Sequence, residues 1–336
     1  MDVSNIHNNL DNADTSNTYN SLHGGITQFI QNFNKINMKE INPTTQNINE
    51  SIFEEDLSII VDELINLNLN YLNKGYDDNT RKHYILDSII NHGIILQEIY
   101  NWLLNNQYYS NSICLLGYFN YHGIETSINK QKAYELYQKA AELENIVAQL
   151  ELSGIYLYEE ENDDKAFELI KKIAEKGNPN AIDKLGYCYE LGIGIDADVN
   201  KAFELYQKSA DFGNSNGLYN LGNCYECACG ISENNQKAFE LYQKSADLGN
   251  LYGIGYLAYC YKLGIGTDIN NQKALELFQK VANSGDKKAQ FNVALMYENG
   301  NGTENDIVQA IYWYKKSANQ GYKDAEKHLN LLLKNN

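Results

Sequence analysis

The sequence predicts an all-α fold, an α-solenoid of helix-turn-helix repeats with a period of 36 residues, preceded by an N-terminal helical unit. Three columns of residues recur in one register, and only 2 prolines occur in 336 residues. Scarce proline suits long runs of helix, because a proline removes a backbone donor. A fixed period of this size is the signature of a stack of repeats. The alanine column is Ala133, Ala166, Ala202, Ala238, Ala274 and Ala310, in steps of 33, 36, 36, 36 and 36 residues.

The other two columns mark where a helix of each repeat begins and ends. Asn or Asp precedes each alanine by four residues, at 129, 162, 198, 234, 270 and 306. Such side chains accept hydrogen bonds from the free amides of a first helical turn, so they predict N-caps. Glycine recurs at 177, 213, 249, 285 and 321, where a residue with positive φ ends a helix. The helix between these columns is called helix B, and a preceding helix A is predicted from the run 181–189 and its counterparts.

The residues before the repeats divide into two parts. Residues 1–50 are rich in Asn, Thr and Ser and poor in apolar side chains, which predicts a mostly disordered segment. Residues 51–108 form a predicted N-terminal helical unit, with helices over about 51–75, 80–91 and 94–105 that end at Gly75 and Gly93 or near the first repeat. We expect these three helices to pack against the repeats.

Composition limits the classes of partner and compartment. A formal net charge of −17 disfavours binding to nucleic acid, which requires basic residues to neutralise phosphates, and disfavours an anionic membrane surface. No apolar run approaches the roughly 18 residues that span a membrane. The first residues lack the layout of a secretory signal, and six cysteines in so long a chain are no disulfide framework. These features predict an intracellular, cytoplasmic protein without membrane insertion.

The helix patterns resemble a known repeat family. The stretch Ala181–Gly194 follows A-x-x-x-L-G-x-x-Y-x-x-G-x-G, and the stretch Lys201–Gly213 follows K-A-x-x-x-Y-x-K-S-A-x-x-G. These patterns resemble the Sel-one-like repeat, a relative of the tetratricopeptide repeat. The resemblance covers 109–321 as six repeats, followed by a C-terminal capping helix at 322–336. It implies a right-handed superhelix, with helix A on the concave surface and helix B behind it, and a role as an adaptor in protein complexes.

Two departures from the pattern stand out. The loop between helices A and B of repeat two is three residues shorter than its counterparts and lacks their glycines. Repeat one ends in Glu144 where the other repeats have glycine. We expect a local irregularity of the stack there.

Packing explains the cysteines better than a catalytic or metal site does. Cys224 and Cys227 form a C-x-x-C pair, but Cys188, Cys224 and Cys260 occupy one column that other repeats fill with Phe, Ile or Met. This interchange is typical of an apolar packing position. No second pair of ligands completes a zinc site. We therefore expect no enzyme activity, no cofactor and no metal.

The candidate site is the exposed face of helix A. If helix A lines the concave surface, aromatic and acidic residues flank its Leu and Gly, which favours a groove for a peptide or protein partner, and a basic one in particular. The candidate partner-binding residues are Tyr118, Tyr121, Asp183, Tyr187, Glu190, Tyr219, Asn223, Glu226, Tyr259, Lys262, Phe291 and Glu298.

Three hypotheses of function follow. The first is a non-catalytic scaffold or adaptor that binds a protein through the concave face. The alternative is a regulatory repeat tail of a kinase-like signalling protein, since similar repeats follow kinase-like domains in some fungi and protists; the chain itself lacks the kinase motifs. The third is a cysteine-based metal or hydrolytic protein. The oligomeric state does not follow from the sequence.

Overall fold

The computed structural model describes residues 54–160 and 162–335, and the prediction of disorder for residues 1–50 lies outside them. Within the described ranges all regular structure is helical, which confirms the predicted all-α stack. Three helices precede the repeats: α1 Glu54–Asn73, α2 Asp78–Asn91 and α3 Leu96–Asn105. Helices α1 and α2, with the turn between them, are called the N-terminal hairpin below.

Helix pairs follow, each with a helix A and a helix B. The pairs are α4 Ser110–His122 with α5 Lys130–Glu142, α6 Ile146–Tyr158 with α7 Asp163–Glu175, α8 Pro179–Leu191 with α9 Val199–Asp211, α10 Ser215–Cys227 with α11 Asn235–Asp247, α12 Leu251–Leu263 with α13 Asn271–Asn283, and α14 Lys287–Asn299 with α15 Ile307–Asn319. The last helix is α16, Lys323–Asn335. Each helix packs against the next along the chain from α4 to α16, so the core is continuous.

The predicted ends of helix B are confirmed. Each Asn or Asp of its column accepts a hydrogen bond from the backbone amide three residues later, as Asp198 does from Lys201 at 3.0 Å. The glycines after helix B have positive φ, for example +77° at Gly213. Glu144 replaces this glycine in repeat one and adopts the same left-handed conformation, with φ of +59°. Its carboxylate accepts hydrogen bonds from Lys172 of the next helix B and from Lys176, the residue after that helix, so the irregular residue also joins two repeats.

Glycines inside helix A bring each pair of helices close together. A Cβ at Gly222 would lie 2.7 Å from the ring of Tyr242 on helix B, and one at Gly186 would lie 2.8 Å from the ring of Tyr206. Both tyrosine rings are fully buried against these glycines. The close approach explains why small residues recur at this position, since a larger one would separate the two helices.

Candidate interaction surface

The N-terminal hairpin lies on the helix A side of the stack. Helix α1 packs against α4, α6 and α8, which are the A helices of repeats one, two and three. The turn after α1 reaches α10 of repeat four, where the amide of Ser215 donates to the carbonyl of Lys74 at 3.0 Å. The hairpin therefore spans the A helices of four consecutive repeats.

Successive carbonyls at the end of α1 accept hydrogen bonds from the starts of α8 and α10. A helix leaves its last carbonyls without partners inside the helix, so these bonds fix the position of the hairpin turn. The bonds run from Asn180 Nδ2 to Leu72 O at 3.0 Å, from Asn214 Nδ2 to Asn73 O at 2.9 Å, from Ser215 N to Lys74 O at 3.0 Å, and from Ser215 Oγ to Gly75 O at 3.2 Å.

Helix α2 inserts Arg81 into the same face. Arg81 is the only arginine in 336 residues, and it is 2% exposed. Its Nη1 donates to Glu151 Oε1 of α6 at 2.6 Å and to Asn68 Oδ1 of α1 at 2.7 Å, while Nη2 pairs with Asp78. The charge of Arg81 also acts on the Tyr118 hydroxyl of α4, although burial has the larger effect and raises the pKa of Tyr118.

The hairpin and the last helix cover the two ends of the predicted partner-binding face. Tyr118 is 1% exposed beneath the hairpin, so its expected exposure is corrected: residues distant in sequence fill its surroundings. At the other end, the ring of Phe291 lies 5.2 Å from the ring of Tyr322, the residue before α16, and 5.4 Å from the ring of His328 in α16. Glu298 lies 3.6 Å from the same histidine.

Between these ends the described helices leave a stretch of tyrosines half-buried or exposed. We call it the open section; it comprises Tyr158, Tyr187, Tyr219, Tyr252, Tyr256 and Tyr259. Tyr158 and Tyr252 are 62% and 67% exposed. The ring of Tyr219 lies 5.5 Å from Tyr252 and 5.1 Å from Tyr256, and that of Tyr158 lies 6.4 Å from Tyr187. Desolvation of the phenol end of Tyr158 raises its pKa most, and the nearby groups Tyr187, Asp183 and Tyr252 raise it further.

Three predicted acidic residues bind tyrosines of their own repeat. Glu190 and Glu226 each accept a hydrogen bond at 2.5 Å, from Tyr206 and Tyr242 respectively. Glu298 accepts one from Tyr314 in the same way. In repeat five, Phe278 replaces the tyrosine and Lys262 replaces the glutamate, with the ammonium 5.9 Å from the ring centre. Both positions change together in repeat five, so the glutamate and the tyrosine act as a pair. In repeats three, four and six the carboxylate of this pair holds helix A to helix B.

The other predicted residues make contacts at the edge of the open section. The side-chain amide of Asn223 lies 2.7 Å from the hydroxyl of Tyr242, which donates its proton to Glu226. Tyr259 accepts one from Asn292 Nδ2 at 2.8 Å, and Lys262 Nζ donates to Asn292 Oδ1 at 2.9 Å. Tyr121 donates to Glu159 at 2.6 Å, with Lys130 over its ring.

Sequence reasoning missed a further column of helix A residues that faces neighbouring repeats. Its members are Glu151, Lys184, Asn220, Tyr256 and Asn292. Lys184 Nζ donates to Ser153 Oγ of repeat two at 3.3 Å, and Asn220 Nδ2 donates to Asp183 Oδ1 at 2.9 Å. The register could have revealed this column, because polar side chains and one tyrosine fill it where a packing position would be apolar.

Asp183 is a buried carboxyl that lies one turn of helix α8 before Tyr187 of the open section. It is 7% exposed, and within the described residues it forms no ion pair. Burial raises the pKa of Asp183 to about 7, with a further rise from Glu190, against the lowering effects of Asn220 and Lys184. Its expected exposure is corrected too: the residue is buried where two repeats meet, and Asn220 of the next repeat donates to its Oδ1. The carboxyl therefore changes its charge near neutral pH.

A cleft of about 440 Å³ continues the open section toward the hairpin turn. Tyr76 and Asp77 of the turn form one side, and Tyr252 with the start of α14 at Asp286 forms another. The open section thus extends from the tyrosines of repeats two to five to a recess beside the hairpin turn.

The cysteine column is buried as expected for packing residues. Cys188, Cys224 and Cys260 are buried, and burial raises their pKa values to about 11, about 12 and about 12. These thiols are therefore protonated at neutral pH. The described residues contain no group of three or more His, Cys, Asp or Glu side chains arranged to hold a metal ion. Over the same part of the chain, no helix has the length and apolar character to cross a membrane.

Comparisons with known proteins agree with this architecture. The family model described as Sel1 repeat matches six consecutive segments, residues 110–145, 146–178, 179–214, 215–250, 251–286 and 287–322. Comparison with curated proteins gave no match.

Solved structures show the same fold. A protective antigen present in uropathogenic Escherichia coli strains and displaying an SLR fold is 29% identical, with a TM-score of 0.55 over 68% of this chain and 49% of the antigen. This chain thus spans about half the length of that antigen. A Sel1 repeat protein from Oxalobacter formigenes is 24% identical, with a TM-score of 0.61 over 70% of this chain and 98% of the other. Six consecutive matches to the family model, on helix pairs with the same periodic caps, establish that the chain belongs to the Sel1 repeat family.

Proposed function

We propose that this chain is a non-catalytic scaffold that binds a protein or peptide partner through the open section on the concave, helix A face of its repeats. Sel1 repeat proteins are generally scaffolds for protein interactions. One observation carries the location: a row of accessible tyrosines lies between two ends that the chain covers itself. Tyrosine suits such a surface, because it buries a large area while keeping a polar group.

The partner that fits this surface is basic. Glu190 and Glu226 border the open section, Asp183 lies one helical turn before Tyr187, and the whole chain has a net charge of −17. Opposite charges speed the encounter of two proteins and help to select the partner. Six unpaired cysteines favour a reducing compartment, so we propose that this interaction takes place in the cytoplasm.

Affinity capture of the intact chain, with mass spectrometry of the retained proteins, would identify the partner. The double variant Tyr187→Ala, Tyr219→Ala removes two rings from the open section, and we expect capture to fall about tenfold or more. The matched control is Tyr312→Ala, which removes an exposed tyrosine from helix B of the last repeat. Circular dichroism would verify that each variant stays helical. Equal capture by the double variant and the wild type would refute the location.

A further inference from the structure

The chain already contains one arginine bound to the helix A face. Arg81 is its only arginine among 27 basic residues, and it is the residue that the hairpin buries against Glu151 beside Tyr118. Arginine differs from lysine in being planar, weakly hydrated and able to donate several hydrogen bonds in fixed directions while stacking on aromatic rings. The covered part of this face thus combines a carboxylate, a phenol ring and a guanidinium.

The open section contains tyrosine rings and, at Asp183, a carboxyl group, but it contains no arginine. Asp183 is more than nine-tenths buried, and its only hydrogen-bond partner in the described residues is the amide of Asn220, at 2.9 Å. Lys184, the nearest cation along the chain, is directed to repeat two, where its Nζ lies 3.3 Å from Ser153 Oγ and 3.4 Å from the Leu150 carbonyl. Buried carboxylates in folded proteins are normally paired with a cation. Within the described residues no cation lies at ion-pair distance from Asp183, and Lys184 acts on it only from farther away.

Tyrosine rings near Asp183 offer aromatic faces to a guanidinium. The ring centres of Tyr158 and Tyr187 lie 6.4 Å apart with their planes tilted by 47°, Tyr187 follows Asp183 by one turn of helix α8, and Asp183 acts on the titration of the Tyr158 phenol. Tyr219 of the next repeat follows Asp183 by one period. A guanidinium stacked on a phenol ring and hydrogen-bonded to a carboxylate gains from both contacts.

We propose that the open section recognises an arginine side chain of the partner, whose guanidinium pairs with the Asp183 carboxylate between the tyrosines of repeats two, three and four. This inference rests on the proposed function and specifies what the open section selects. The proposed site resembles the one beside Glu151 and Tyr118 that Arg81 of the chain itself fills. Lysine fits it less well, because a strongly hydrated ammonium neither stacks flat on a ring nor donates in a planar pair.

Proton binding couples to this recognition. Asp183 must be ionised to pair with arginine, and the groups that face it are Lys184 and Glu190 on its own helix, Asn220 on α10, Tyr158 on α6 and Tyr206 on α9. With a pKa of about 7, the ionised fraction of Asp183 rises about tenfold between about pH 6 and about pH 8. The affinity for an arginine peptide should rise by a similar factor over this range.

Random-sequence peptides displayed on phage, selected against the immobilised full chain, provide the probe. We expect the selected peptides to share an arginine, and its replacement by the uncharged isostere citrulline to weaken binding by about thirtyfold. The variant Asp183→Asn should weaken the arginine peptide to the same extent, remove the difference from citrulline and abolish the pH dependence. The control Glu204→Gln, which neutralises an exposed carboxylate on helix B of the same repeat, should bind as the wild type does.

Failure of the inference and failure of the proposed function give different results. Peptides that lose affinity on Tyr187→Ala, Tyr219→Ala but bind equally well without arginine, or to Asp183→Asn, would overturn arginine recognition and leave the binding surface in place. A selection that returns no peptide sensitive to the tyrosine variant would overturn both.

Discussion

Asp183 occupies a column in which it is the only acidic residue. Its counterparts in the other repeats are Cys114, Leu150, Tyr219, Gly255 and Phe291. In the folded chain burial raises the pKa of Asp183 to about 7, whereas an unfolded chain would hold it near its ordinary value of 3.8. The folded state therefore binds this proton more tightly than the unfolded state does. Protonated Asp183 contributes stability that is complete below about pH 4 and lost as the pH rises through about 7.

We predict that Asp183→Asn makes the stability of the protein less sensitive to pH. Asparagine keeps the shape and the acceptor for Asn220 but has no charge to bury, so the variant should gain relative to the wild type between about pH 4 and about pH 8. A shift of about three pKa units corresponds to a gain of about 4 kcal/mol at the upper end. Urea denaturation of both proteins at several pH values measures it. Parallel pH profiles for the two proteins would contradict this environment for Asp183, since all other carboxyls are common to both.

Residues with local roles could be predicted from the sequence, and those with long-range roles could not. The N-cap at Asp198 and the positive φ at Gly213 depend on neighbours within a few residues, so the repeated pattern was sufficient. Tyr118 is covered by Arg81, which precedes it by 37 residues and belongs to a different helix. The lone arginine was visible in the sequence, but its partner Glu151 could be identified only once the hairpin was placed.

At the scale of elements, the turn of the N-terminal hairpin determines where the covered part of the helix A face ends. Gly75 has a φ of +77°, and a Cβ there would lie 2.8 Å from Ser215 Oγ and 3.0 Å from the amide nitrogen of Asn216. Glycine is thus required both for the backbone conformation and for the close approach to α10. The sequence predicts that a helix ends at this glycine, but not that another repeat packs on it.

Gly75→Ala should loosen the hairpin, and Gly93→Ala is its matched control. Gly93 also has positive φ, +70°, but nothing lies within 4 Å of its Cβ position. Both variants carry the backbone penalty of about 1 to 2 kcal/mol, and Gly75→Ala adds a clash of similar size. Hydrogen exchange of the α2 amides measures the effect, and we expect faster exchange in Gly75→Ala than in Gly93→Ala. Equal exchange in the two variants would show that the contact with α10 does not hold the hairpin.

At the scale of the whole molecule, a repeating stack is combined with a non-repeating cover. The periodic columns predicted the stack of helix pairs correctly, because each repeat buries its apolar residues against its neighbours. They also predicted an exposed helix A position for three of the six tyrosines of the open section, Tyr187, Tyr219 and Tyr259. The hairpin breaks the repetition, and so no periodic pattern could show which repeats it covers. The proposed function depends on that asymmetry, since Tyr118 of the first repeat is buried whereas Tyr158 and Tyr252 of the helix A face remain exposed.

Hydroxyl-radical footprinting of the intact chain, with mass spectrometry of each tyrosine, tests this division of the helix A face most directly. The structure predicts rapid oxidation of Tyr158 and Tyr252, which are 62% and 67% exposed. It predicts that Tyr118, at 1% exposure beneath the hairpin, is oxidised as slowly as Tyr137 in the core. Oxidation of Tyr118 at the rate of Tyr158 would contradict the division, because the hairpin would then leave the first repeats as accessible as the open section.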